Sequence, residues 1–207
     1  MFPDMLCQAC HRFHRGHLLC AECRRRLRLA PDRLLPGGVR LVAAFEHSGP
    51  AKTLVHHLKY RGLAGYAELT ASMLAERLPP LPLVPVPRAL TRRVRYGVDP
   101  ARALADRLAH RLGVPVLPLL QPPLHKQRRA GGDHSRAVTG FRLRQVPKGP
   151  VLVVDDVVTT GATLLSAIIS IGESRVRAAV AANAVPGVCS GVPWRHRYSP
   201  PPGNEAV

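Results

Sequence analysis

Two places in this chain of 207 residues put reactive side chains at spacings that chemistry can use. In "VLVVDDVVTTGATLL", residues 151–165, an apolar run stops at two adjacent carboxylates, Asp155 and Asp156. Hydroxyls and a glycine follow at Thr159, Thr160, Gly161, Ala162 and Thr163. In "CQAC" (7–10) and "CAEC" (20–23), two C-x-x-C pairs stand nine residues apart. At the end of a buried strand, a turn over 159–163 that opens a helix points backbone N–H groups outward. With the helix dipole and the threonine hydroxyls, that makes a phosphate site. Gly161 has no side chain to block the approach of an anion. Carboxylates repel a bare phosphate but accept hydrogen bonds from the hydroxyls of a ribose. One ligand meets both demands: a sugar with vicinal hydroxyls and a phosphate on its far carbon.

Other readings of 151–165 meet obstacles. A P-loop nucleotidase needs G-x-x-x-x-G-K-[ST] upstream, and no glycine here precedes a lysine. A phosphoacceptor receiver domain needs more chain than follows Asp156. The bland alternative is a strand followed by a hydroxyl-capped helix with surface acids. Two adjacent acids plus T-T-G-A-T exceed what a cap requires.

The four thiols Cys7, Cys10, Cys20 and Cys23 suit a closed tetrahedral Zn²⁺ site, structural rather than catalytic. A redox dithiol would need only one pair, and disulfides do not suit a cytosolic chain. His11, His14 and His17 lie in the intervening loop and are expected to be exposed; Cys189 stands alone. A head this short needs its metal to fold. Arg12, Arg15, Arg24, Arg25, Arg26 and Arg28 make it a candidate contact for DNA or a protein partner. Phe13 is the only ring nearby, so phosphate attraction without base reading is all it supports.

The elements that must position these groups follow from the apolar pattern. Strands are expected at 39–48, 82–87, 114–120 (weak), 151–156 and 176–185. Helices are expected at 51–60, 66–78, 101–112 and 163–171. The strand runs are continuous rather than alternating, which implies cover on both faces. Strand and helix alternate, so the fold class is α/β, a parallel twisted sheet flanked by helices, with a small N-terminal zinc ribbon or knuckle. The expected organisation is a four-cysteine head at 1–28, a linker at 29–38, the α/β domain at 39–185 and a disordered tail at 186–207.

The net charge is +17 and 46% of residues are hydrophobic, which fits a globular protein drawn to anionic partners. Seven arginines lie between positions 88 and 111 against two acids, Asp99 and Asp106. No apolar run approaches the ~18 residues of a membrane span, and the first residues lack a secretory pattern. The expected compartment is the cytoplasm.

The segment 155–163 resembles the fingerprint of type I phosphoribosyltransferases, which bind 5-phosphoribosyl-1-diphosphate (PRPP). The resemblance implies that Asp155 and Asp156 take the ribose hydroxyls. It implies that Val157, Val158, Thr159, Thr160, Gly161, Ala162 and Thr163 form the 5′-phosphate loop. With the four-cysteine head, "LVHHLKYRG" (54–62) and "LVPVPRALTRR" (83–93), the chain is similar to the ComF family, a phosphoribosyltransferase-like group linked to DNA uptake. That likeness implies a diphosphate contact at Val86, Pro87 and Arg88, with Arg92 and Arg93 close by, and a site contact from Lys59. It also implies Mg²⁺ bound with PRPP, and single-stranded DNA or competence proteins as partners. The chain departs from the family at "RYGVDPA" (95–101), where many members read R-G-F-N-Q-A. Asp99 is the candidate substitute for the polar residue. It departs again at 125–141, which keeps basic and glycine residues without the family's pattern. For the base that accepts a proton from the nucleophile, His125 and His134 are candidates by residue type only.

Overall fold

The apolar runs form the centre of a mostly parallel sheet. A computed structural model describes residues 6–14, 18–35, 37–61, 64–124 and 141–186. Its strands are β1 (Arg33–Leu34), β2 (Arg40–Glu46), β3 (Leu83–Pro85), β4 (Val151–Val158) and β5 (Val176–Ala184). They lie in the order β1-β2-β5-β4-β3, parallel throughout except β1, which runs antiparallel along β2. The helices are α1 (Ala21–Arg25), α2 (Gly49–Arg61), α3 (Ala64–Ala75), α4 (Leu90–Tyr96), α5 (Pro100–Leu112) and α6 (Ala162–Ile171).

Side chains alternate across a strand, so a run that is apolar at every position must be covered twice. Leu152 and Val154 of β4, with Val42, Ala44 and Val180, pack against Leu54 and Leu58 of α2, Leu74 of α3, and Leu104 and Leu108 of α5. Val151 and Val153, with Leu41, Ala43, Ala179 and Ala181, pack against Leu164, Ile168 and Ile171 of α6. Each fully buried leucine or isoleucine contributes roughly 1.5–3 kcal/mol. Helix α5 shows how local signals fix boundaries: Asp99 caps it by accepting from Arg102 N–H, Pro100 opens it, and Gly113 closes it in the left-handed region.

The structure differs from the sequence-based expectation in three stretches. Residues 114–120 form two isolated bridges, Val116 with Leu83 and Leu120 with Leu143, rather than a strand. Leu83 N–H donates to Pro115 O at 3.0 Å and Leu117 N–H to Leu83 O at 2.7 Å. Pro118 has no N–H with which to continue the ladder. Residues 90–96, where no helix was expected, form α4, none of whose residues is buried, so no apolar stripe announces it. The stretch expected to be a linker carries β1. Asp32 there binds Arg40 and Arg77, and the Arg77 guanidinium also donates to Ala43 O at 2.8 Å.

The cysteine head shares a core with the rest. Cys7, Leu19 and Cys23 are buried in the same apolar cluster as Leu54 and Tyr66, and the His11 ring lies 5.8 Å from that of His57 on α2. Arg15, His17, Gly62, His125, His134 and Cys189 lie outside the described residues, as does all but the first residue of the 186–207 tail. Among the described residues, no helix is long and apolar enough to cross a membrane.

Candidate functional site

Parallel strands deliver their carboxyl ends to one edge of the sheet, and β4 brings the two acids there. Asp155 sits opposite Ala181 of β5. The strand runs two residues further than expected, so Val157 and Val158 are its last rungs, opposite Asn183 and Ala184. Val158 is buried and Val157 half-buried. Thr159 and Thr160 follow, both exposed, and Gly161 caps α6 at φ 75°. A residue with a side chain enters that region at a cost of about 1–2 kcal/mol. Thr160 Oγ1 accepts from Ala162 N–H at 3.4 Å, which tightens the bend. Asp155, Val157, Val158 and every residue from Thr159 to Leu164 line one small hollow. Asp155 and the bend therefore meet at one concavity, while the buried Asp156 is paired with Lys59.

The acids differ in surroundings. Asp155 Oδ1 accepts from Asp156 N–H at 2.7 Å. Burial, and next the neighbouring Asp156 charge, push its carboxyl up to about 8, against the opposing pull of that N–H and of Lys59. Asp156 is met by Lys59, whose Nζ lies 3.2 Å from Oδ1. Lys59 stands in the last turn of α2, the position the sequence singled out.

Arg88 does not present its guanidinium to this hollow. Its Nη1 donates to Lys59 O at 2.7 Å and Val98 O at 3.1 Å, and its own N–H donates to Asp99 Oδ2 at 3.2 Å. The guanidinium carbon lies 4.9 Å from the Tyr96 ring and 5.4 Å from the Tyr60 ring, and those rings meet edge-on at 4.7 Å. Arg88 thus caps the carbonyl end of α2 and fills an aromatic notch. Val86 is buried and donates its N–H to Val154 O at 2.8 Å; Pro87 follows, half-buried. Arg92 and Arg93 are exposed on α4. The cation that the fold places on the acids is Lys59.

Three further residues lie behind the site. Tyr66 and Asn183 are fully buried, and the Tyr66 hydroxyl donates to Asn183 Oδ1. Asn183 Nδ2 donates to Ala51 O at 3.0 Å and faces His47 Nδ1 at 3.2 Å. One signal was present in the sequence: asparagine in the otherwise apolar run "VRAAVAANAV" must find partners if buried.

In the head, the sulfurs of Cys7, Cys10, Cys20 and Cys23 all lie within 4.8 Å of one another, and Cys10 and Cys20 are 3.8 Å apart. A tetrahedron with Zn–S bonds of about 2.3 Å has edges of about 3.8 Å, so the donor set fits zinc. Burial raises the Cys7 thiol, but N–H groups of Cys20, Cys10 and Ala9 point at its sulfur and bring it down to about 6. Burial, then the other thiols, push Cys23 up. Four converging thiols with amide donors aimed at one of them suit thiolates gathered by a cation. His11 takes φ 59° in the knuckle turn, its N–H donating to Cys7 O at 2.8 Å. His14 Nε2 is buried without a hydrogen-bond partner among the described residues.

The chain is a mixed α/β protein with a mostly parallel sheet flanked by helices and four clustered cysteines near its N-terminus. No protein-family profile matches it, and no curated protein matches it. Among solved structures it is similar to the orotate phosphoribosyltransferase from Aeropyrum pernix, at 20% identity over 77% of this chain and 76% of that one, with a TM-score of 0.32.

Proposed function

We propose that the chain binds PRPP at the end of β4 and transfers its phosphoribosyl group to a nucleophile with release of diphosphate. One observation carries the reading: Asp155 and the 159–163 bend line a single hollow, with Asp156 the next residue along β4. In this reaction a bond forms from the nucleophile to C1 of the sugar. The C1–O bond to diphosphate breaks, and its electron pair leaves with the diphosphate. Asp155 and Asp156 hold the ribose hydroxyls, which is a positioning role. The outward N–H groups and hydroxyls of 159–163 take the 5′-phosphate. Lys59 holds Asp156 in place and sets a positive charge beside the sugar. Mg²⁺ arriving with PRPP supplies charge stabilisation to the leaving group. Cys7, Cys10, Cys20 and Cys23 would hold a structural Zn²⁺. The association with DNA uptake rests on the ComF resemblance.

A second reading has an observation of its own. With Arg88 turned into α2, the exposed arginines of α4, Arg92, Arg93 and Arg95, are left as a basic surface. A non-catalytic adaptor of the same fold would use that surface for single-stranded DNA or competence proteins. Titration calorimetry with PRPP and Mg²⁺ separates the two. The transferase reading expects binding that is lost in the double variant D155N/D156A. Heat with an oligonucleotide only, weakening steeply with salt, favours the adaptor.

A further inference from the structure

The Tyr66–Asn183–His47 chain ends at the edge of the sheet that carries the candidate site. Ala184 of β5 is level with Glu46 of β2 on one side and Val158 of β4 on the other. His47 follows Glu46, its N–H donating to Ala184 O at 2.8 Å, so it stands level with the start of the threonine bend. Two strand spacings, about 10 Å, separate β2 from β4, a span that a sugar phosphate bridges.

Hydrogen-bond logic fixes the state of this histidine. The Asn183 atom facing Ala51 O must be the amide nitrogen, because a carbonyl oxygen only accepts. The other atom is then the oxygen, and it accepts from the Tyr66 hydroxyl. The same nitrogen faces His47 Nδ1, so Nδ1 must accept and carries no proton. The ring proton therefore sits on Nε2, which has no partner among the described residues, on a half-buried ring. Burial first, then the charges of Lys59 and Lys52, hold His47 below the ordinary histidine range against the opposing pull of Asp156, so the ring is neutral near pH 7.

We propose that His47 is a substrate-binding residue whose Nε2–H donates to an oxygen of the sugar phosphate, and that Tyr66 and Asn183 are positioning residues that hold it in that tautomer. This rests on the PRPP reading of the site. A neutral donor at this point meets substrate oxygen without competing with Lys59 for Asp156, as an imidazolium would.

The test is long-range proton–nitrogen correlation NMR on ¹⁵N-labelled protein, with calorimetry on the same samples using PRPP and Mg²⁺. The expected result is His47 protonated on Nε2 alone in the free protein, with that resonance shifting as PRPP saturates. H47F should weaken PRPP binding about tenfold, the loss of one hydrogen bond, and H47Q, which restores an N–H donor at similar reach, should recover most of it. A proton on Nδ1 overturns the inference, as does PRPP binding that leaves the His47 resonance unmoved or H47F affinity unchanged. Those outcomes leave the PRPP reading standing, whereas failure of the wild-type protein to bind PRPP overturns both.

Discussion

Replacing Asp155 with asparagine should stabilise the unliganded protein at neutral pH, by an amount that grows with pH. In the fold, the Asp155 carboxyl is pushed up to about 8 from an ordinary 3.8, chiefly by burial and then by Asp156. Between pH 5 and 7 the unfolded chain has released this proton and the folded chain still holds it. A folded state that binds the extra proton loses stability as pH rises, by about 1.4 kcal/mol per unit for one full proton. Asp155 is partly exposed and shares its titration with Asp156. A discounted loss of about 1–2 kcal/mol across those two units is the expectation. His47 and His57, pushed down mainly by burial, work in the opposite sense, stabilising as pH rises through the ordinary histidine range. Their contributions cancel when wild type and D155N are subtracted. Urea unfolding of both proteins at several pH values gives that difference. It should widen from pH 5 to 7, with D155N the more stable. A flat difference would mean that Asp155 is ionised in the fold and that the buried-acid argument is wrong. The same variant should lose PRPP binding, since an asparagine has no proton to release and cannot become the carboxylate that accepts from the ribose hydroxyls. Stability gained where binding is lost is the signature of a site held under electrostatic stress.

Three other expectations can be checked with the same tools. Gly161→Ala places a side chain at φ 75° and should lower stability by about 1–2 kcal/mol and PRPP affinity at least tenfold; urea unfolding and calorimetry measure the two. Arg88→Ala should lower the melting temperature, by the equivalent of about 1–2 kcal/mol, because it removes the cap on α2 and the contacts with Tyr60 and Tyr96. A normal melting temperature with weakened PRPP binding would return Arg88 to the diphosphate role. Elemental analysis should find one zinc per chain, and a strong chelator should lower the main unfolding transition rather than release a separate small one.

The sequence made the sheet and the acid–threonine bend legible for one reason: both are written in contiguous residues. Continuous apolar runs mark doubly covered strands, and Asp155 through Thr163 needs only one strand end to assemble. What it left hidden depends on contacts between distant segments. Arg88 reads as a free cation beside a proline, but its fate is set by Lys59 O, Val98 O and two tyrosines that only the fold brings near. Helix α4 carries arginines around an exposed Val94 and buries nothing, so periodicity had nothing to detect. His47 gains its role from Asn183, 136 positions away. Pro118 could have been read as the stop of the 114–120 ladder, since a missing N–H is a local fact.

Helix α2 joins the two halves of the molecule that the sequence kept apart. Its His57 is buried against the cysteine knuckle through His11, while Lys59, two residues on, reaches Asp156, and the Lys59 carbonyl anchors Arg88. A rigid helix cannot move one of these contacts without moving the others, because neighbouring turns share one hydrogen-bond ladder. The knuckle gathers four thiols and lends Cys7, Leu19 and Cys23 to the core under α2 and α3. A metal gathered by those four thiolates would therefore help fix the helix that aims Lys59. On this geometry a zinc bound in the head would be part of the scaffold of the proposed sugar-phosphate site, and its removal should be felt at Asp156 as well as in the head.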